Sequence, residues 1–324
     1  MGFKKFILFP WFEIRKFYNC GVYWAYMSNF IVKNFWLTFL IGMFFGVFSG
    51  FSKKLSPYIL YMLIFILFLS CLQIDLRNLF VRIKNYKLIF WLVLWILILL
   101  PLLYILLRVF LDLDVSLAIL ILLVMPAGMT IPFYSSLFKG DMELALVLTV
   151  ITSLLCPFTI PLLIKFFLGT GFSINFLDML TMLSLVIFIP FLVSILIRKF
   201  ALVFIEKTKK YYSFLSLFVS MFLMAGAIAK IDFLEVLKGS ELVYPFILLF
   251  VLAFVLHIIG FFIVRGDIKT RITSSLAIAY MNSTLAIVFA ASFFSPKVLV
   301  IVTLYQIPVN IALMFSGIIF RKIN

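Results

Sequence analysis

Charge is scarce in this chain and histidine almost absent. Only 12% of its 324 residues are charged, and there is one histidine, His257. A single imidazole excludes a two-histidine metal site and a catalytic pair built on a second histidine. Twelve acidic residues serve the whole length, and almost none falls inside an apolar run. An integral membrane enzyme acting on lipid would lack its acids and bases. No glycine-rich phosphate loop or ATP-binding domain is present, which argues against primary active transport by this chain alone. Cys20, Cys71 and Cys156 are isolated, odd in number and without metal-ligand spacing. They read as small apolar packing residues. Hydrophilic stretches long enough to fold alone are missing too.

What is there instead is apolar. Hydrophobic residues make up 66% of the chain, against about 45–50% in a soluble domain. Apolar stretches of about 20 residues recur from Phe35 to Phe320, the length a helix needs to cross a bilayer. The fold class is an all-α polytopic membrane protein, with one integral domain over about 30–322. The net charge of +15 does not point to nucleic acid, because the Lys and Arg residues lie in short loops between spans. Residues 1–29 differ. Lys4 and Lys5 precede a short apolar run, and Glu13, Arg15 and Lys16 follow it. Trp11, Phe12, Phe17, Tyr18, Tyr23 and Trp24 alternate with those charges, so an amphipathic segment lying in the membrane interface is expected rather than a signal peptide.

Ten spans are expected, at about 30–51, 56–73, 87–108, 115–138, 142–168, 175–197, 212–230, 242–264, 271–294 and 297–320. With that count, both termini share a side with the loops after spans two, four, six and eight. Most of the 27 basic residues fall on that side, so both termini are expected in the cytoplasm of a plasma-membrane protein. Spans one to five and six to ten correspond in order, over about 30–168 and 175–320. Five is odd, so the two halves must be inverted relative to each other.

Two spans are interrupted. Span four contains Met125-Pro126-Ala127-Gly128-Met129-Thr130-Ile131-Pro132, and span nine contains Tyr280-Met281-Asn282-Ser283-Thr284. Irregular backbone at membrane depth costs several kcal/mol for each unpaired group and survives only inside protein or along a cavity. Broken helices in matching halves point to a transporter's binding site. Thr130, Thr149, Asn282, Ser283 and Thr284 are the candidate substrate-binding residues, and Pro126, Gly128 and Pro132 shape the first break. Ser135, Ser136, Thr152, Ser153, Thr303, Tyr305, Gln306 and Asn310 extend the polar lining. A half-helix that restarts after a break presents free amides and a positive dipole end to an anion. His257 could carry a proton or bind a ligand. Its span holds no acidic partner, which favours a packing role.

At these residues the chain resembles a known family. The stretch CLQIDLRNLFVRIKNYKLI from Cys71, the block MPAGMTIPFYSSLFKGDMELALVLTVITSLLCPFTIPLL from Met125, and LAIAYMNSTLAI from Leu276 are similar to the bile acid:sodium symporters. The resemblance covers about residues 30–322. It implies ten helices in two inverted repeats, a panel domain, and a core domain in which broken helices four and nine cross. It also implies transport of organic anions such as bile acids, commonly with sodium. The related arsenite efflux carriers share the scaffold.

The family's sodium ligands are largely replaced here. Ile131 and Pro132 stand where it has Ser and Asn, Ala145 where it has a hydroxyl, and Ile96 where it has a Gln. Its span-nine Glu falls on Ala277 or Ala279 and a Gln there on Met281, while Thr149, Asn282 and Ser283 match. Sodium needs hard oxygen ligands, so ordinary sodium coupling is not expected. The arsenite pattern fails at Ala127 and Thr284. The expectation is a secondary transporter in the lipid bilayer, moving a small organic anion by alternating access, through facilitated diffusion or with a coupling ion, sodium included, bound unusually, and with no other cofactor or metal. The alternative is a non-transporting membrane receptor or partner subunit on the same scaffold.

Overall fold

The computed structural model describes residues 35–74, 85–169, 175–231 and 242–323. The interfacial segment expected over 1–29 lies outside them. The chain opens with α1, Phe35–Phe48, and α2, Gly50–Leu55. A 3₁₀ turn at Ser56–Tyr58 leads into α3, Ile59–Leu72. Next come α4, Tyr86–Leu94, a widened π turn at Trp95–Leu99, and α5, Leu100–Leu107. The wide turn lies just before Pro101, whose missing N–H breaks the helical ladder.

The first half continues with α6, Leu113–Val124, α7, Ile131–Leu137, and α8, Met142–Leu168. The second half begins with α9, Phe176–Ile228, then α10, Val243–Phe262, and α11, Ile268–Ala279. It closes with α12, Ser283–Phe293, α13, Pro296–Leu304, and α14, Gln306–Ile323. Short polar side chains start several of these helices. Asp141 accepts from the amides of Glu143 and Leu144, Asn175 from Leu177, and Asp267 from Thr270. Each satisfies amides that a first turn leaves open.

Seven helical stretches among the described residues are long and apolar enough to cross a membrane. Phe90, Phe166 and Phe204 are exposed on such stretches, as befits a surface facing lipid. Other helices are enclosed on all sides: α6 is buried at every residue from Val115 to Val124, and α12 at every residue from Leu285 to Ala290. The chain is a polytopic membrane protein with its most sheltered helices beside the breaks.

One departure from the sequence reading stands out. A loop was expected between 197 and 212, yet α9 stays helical through it and leaves helical geometry at Ala201 (φ −127°, ψ 32°). The region contains no Gly or Pro to end a helix, and Lys209 pairs with Glu206 three residues away. The chain still reverses there: Arg198 donates to the Leu72 carbonyl at 2.6 Å and Ser213 to the Gln73 side chain at 3.2 Å. The tenth span runs on as expected, one stretch from Pro296 to Ile323; Tyr305, between α13 and α14, keeps helical dihedrals (φ −58°, ψ −22°). Small residues set one close approach. A Cβ on Gly42 or Gly46 of α1 would stand 2.6 Å from the Met221 carbonyl oxygen or 2.9 Å from that of Ala225, a small-xxx-small contact with α9.

Candidate functional site

α6 stops at Val124 and the chain regains helix at Ile131; α11 stops at Ala279 and α12 starts at Ser283. The two interruptions lie against each other. The Gly128 amide donates to the Tyr280 carbonyl at 2.9 Å, and the Asn282 amide to the Pro126 carbonyl at 2.8 Å. Ala127 and Met281 form an antiparallel bridge between them. Each break supplies partners for backbone groups that the other leaves open, the condition for irregular backbone at membrane depth.

Local chemistry explains the residues at this crossing. Pro126 has no N–H to leave unpaired. Gly128 runs so close to the opposite strand that a Cβ would lie 2.7 Å from the Tyr280 carbonyl oxygen. Pro132 stands in the first turn of α7. α8 braces the crossing from the side. Thr152 accepts from the Ala127 amide at 3.2 Å and donates to the Leu148 carbonyl at 2.7 Å. The Thr149 hydroxyl lies 2.9 Å from the Ala145 carbonyl and 3.3 Å from that of Gly128. Thr130 is hydrogen-bonded to the Tyr280 side chain, whose hydroxyl donates to Asn310 Oδ1 at 3.2 Å. Asn282 caps α12, its Oδ1 accepting from the Leu285 amide at 3.1 Å.

A narrow cleft of about 20 Å³ lies beside the crossing. Met129, Val150, Ser153, Leu154 and Asn282 form its wall on the side of the breaks and α8. Leu67, Cys71 and Ile74, in and just after α3, form the opposite wall with Ile187 and Phe191 of α9. No charged side chain is among these residues. Of the five candidate binding residues, Asn282 borders the cleft. Thr149 and Thr130 instead serve the break and Tyr280. Ser283 is buried and Thr284 half-buried in the first turn of α12, and neither is among the cleft walls.

Sequence reasoning noted Thr152 and Ser153 as polar lining but did not single them out, and it passed over Tyr280. The spacing of Thr149 and Thr152, one helical turn apart on α8, was the available signal for the brace. His257 is bonded to the neighbouring helix: Ser275 donates to the His257 carbonyl at 2.8 Å, and His257 Nδ1 lies 3.1 Å from the Ser275 hydroxyl. With the serine proton directed at the carbonyl, Nδ1 is the donor in that second contact. A Cβ on Gly260, one turn along, would stand 2.7 Å from Ser275 Cα, so this histidine sits in a tight helix contact.

The model of the sodium bile acid symporter family matches residues 60–235. The chain belongs to that family. Among curated proteins none matches. The matched residues include the first break and the α8 brace but end before the second break, which the backbone bonds at the crossing join to them. Membership in the sodium bile acid symporter family makes the chain a membrane transporter.

Proposed function

We propose that the chain is a secondary transporter that carries a small organic anion across the plasma membrane by alternating access. The observation that carries this reading is the cleft between two helix groups, with Asn282 of the second break in its wall. α3 and α9 form one side; the braced breaks and α8 form the other. Rocking one side against the other would open the cleft to each face of the membrane in turn. Ten spans in two inverted five-span repeats fit this motion, since both repeats contribute one break. Both termini are assigned to the cytoplasm by the basic loops. Aromatic and basic contacts support that assignment by gathering the ends of α7, α10, α11 and α14. The Arg321 guanidinium lies over the Phe138 ring, Phe320 stacks on Phe261, and Arg271 lies over Phe261.

The substrate's charge is supported by the start of α12, whose positive dipole end follows Asn282 of the cleft wall. The family's usual sodium site does not fit these residues. Ile96, Ala145, Ala277 and Ala279 are all buried, and none has a side-chain oxygen to offer. Facilitated diffusion, or coupling to an ion held by other groups, is the reading that remains. The test is uptake by purified protein in liposomes. Asn282→Leu should abolish saturable uptake while the protein still elutes as a folded species; full uptake by that variant refutes the site. Asn282→Ser keeps an oxygen to cap α12, so it separates loss of the cap from loss of the cleft amide.

A further inference from the structure

Six cations stand together where α7, α10, α11 and α14 begin or end: Lys139, Arg265, Lys269, Arg271, Arg321 and Lys322. All are exposed except Arg271, which is half-buried. Ring contacts hold the group together. Phe261 of α10 stacks on Phe320 of α14 with centroids 5.8 Å apart, and Phe138 faces Phe320 at 6.2 Å. The Arg271 guanidinium lies 4.2 Å from the Phe261 ring and 5.2 Å from that of Phe262, and Arg321 lies 5.8 Å from the Phe138 ring. Arg271 Nε donates to the Phe261 carbonyl at 3.1 Å, at the open end of α10. Its terminal nitrogens, and the whole Arg321 guanidinium, have no hydrogen bond or ion pair among the described residues. Three carboxylates share these turns. Asp141 and Asp267 cap α8 and α11, and Glu143 lies in the first turn of α8, so positive charge stays in excess.

The cluster sits at headgroup depth. Phe262 is 68% exposed at the end of a membrane-crossing stretch, so the guanidinium over its ring lies where acyl chains stop. Trp91, exposed on α4, donates to the Ile263 carbonyl at 3.4 Å, and tryptophan marks the membrane interface. A guanidinium held over a ring keeps its edge donors free. Cations gathered without matching carboxylates repel one another, and a phosphate relieves that repulsion while accepting two parallel bonds from one guanidinium. We propose that this cluster is a binding site for an anionic phospholipid. Its headgroup phosphate accepts from Arg271 and Arg321. Its acyl chains run along Phe262 and Ile319, the exposed neighbours of the stacked pair. A zwitterionic headgroup brings its own cation into the cluster and is disfavoured. A free phosphate lacks the chains and gains the charge contact alone. The site is separate from the cleft and does not depend on what the cleft carries.

The experiment is thermal melting of the detergent-purified full chain, titrated with phosphatidylglycerol, phosphatidylcholine or inorganic phosphate. Phosphatidylglycerol should raise the melting temperature at far lower concentration than phosphatidylcholine, and inorganic phosphate should not raise it. Arg321→Gln should raise the half-saturating phosphatidylglycerol concentration roughly fivefold, the share of one cation at an anionic surface. Arg271→Gln should do the same, but it also removes the bond to the Phe261 carbonyl. Arg321→Gln, whose guanidinium bonds nothing among the described residues, therefore decides if Arg271→Gln fails to fold. Lys207→Gln removes an exposed cation outside the cluster and should leave the titration unchanged. An equal response to phosphatidylcholine, stabilisation by inorganic phosphate, or a wild-type titration of Arg321→Gln overturns the proposal. So does an equal loss in Lys207→Gln, which would mean attraction to net charge rather than a site.

Discussion

Gly128→Ala tests the crossing of the two breaks most directly. The added Cβ would lie 2.7 Å from the Tyr280 carbonyl oxygen and 3.2 Å from that of Met281. Both obstacles are backbone, so no rotamer change relieves them. Strain in φ is not the issue, since Gly169 is the described glycine with positive φ. To make room, the breaks must separate by several tenths of an ångström. That pulls on the Gly128–Tyr280 and Asn282–Pro126 hydrogen bonds, now 2.9 and 2.8 Å long. Losing a buried partner costs about 1–3 kcal/mol per bond, so losing both costs roughly 2–6 kcal/mol. That is a large part of the 5–15 kcal/mol that holds a typical domain together. The assay is the fraction of detergent-purified protein that stays monodisperse after heating, followed by uptake in liposomes. Gly50→Ala is the control: nothing lies within 4 Å of its Cβ, and a helical alanine should be neutral or mildly stabilising. If Gly128→Ala melts and transports like Gly50→Ala, the crossing is not what holds the site.

Three further outcomes are expected. Thr152→Val keeps the side-chain volume but strands the Ala127 amide, for a loss of about 1–3 kcal/mol; Thr152→Ser should recover most of it, read by the same heating assay. Asp267 lies at the membrane surface, and hydrogen bonds from the side chain and then the backbone of Thr270 hold its carboxyl below the usual range. Its capping contribution is therefore full above the ordinary aspartate pKa of about 3.9 and fades as pH falls through the lower folded value. The stability gap between wild type and Asp267→Ala should be wide at pH 7 and shrink in acid; a gap that does not depend on pH counts against this. Melting in sodium and in potassium at matched ionic strength should coincide, whereas a sodium-specific rise would reveal a cation site that Ile96, Ala145 and Ala277 do not supply.

Much of the architecture was legible because apolar length speaks plainly. The runs that became α3, α8 and α10 have nowhere to lie but in lipid or protein. The breaks were legible as well, since Pro126, Gly128 and Pro132 punctuate one run and Asn282 with its polar neighbours punctuates another. What stayed hidden was direction. Nothing in the spacing of Thr149 and Ser153 says that one hydroxyl turns to the break and the other to the cleft, because that depends on how α8 is rotated against its neighbours. The helical stretches on either side of the kink at Ala201 were misread for a related reason. Lys207, Lys209 and Lys210 look like a loop by charge, yet lysine is a good helix former.

The bridge between Ala127 and Met281 also orders the birth of the molecule. Some 150 residues separate its two strands, so at about 5–20 residues per second the first strand waits on the order of ten seconds or more for its mate. During that interval the first break is in the nascent chain with its carbonyls and amides unmatched. Thr149 and Thr152 belong to the next helix along, 21 and 25 residues after the backbone they contact, so they are made long before residue 280. They act as scaffolding for an arch whose second half has not been made, and remain in place once it has closed.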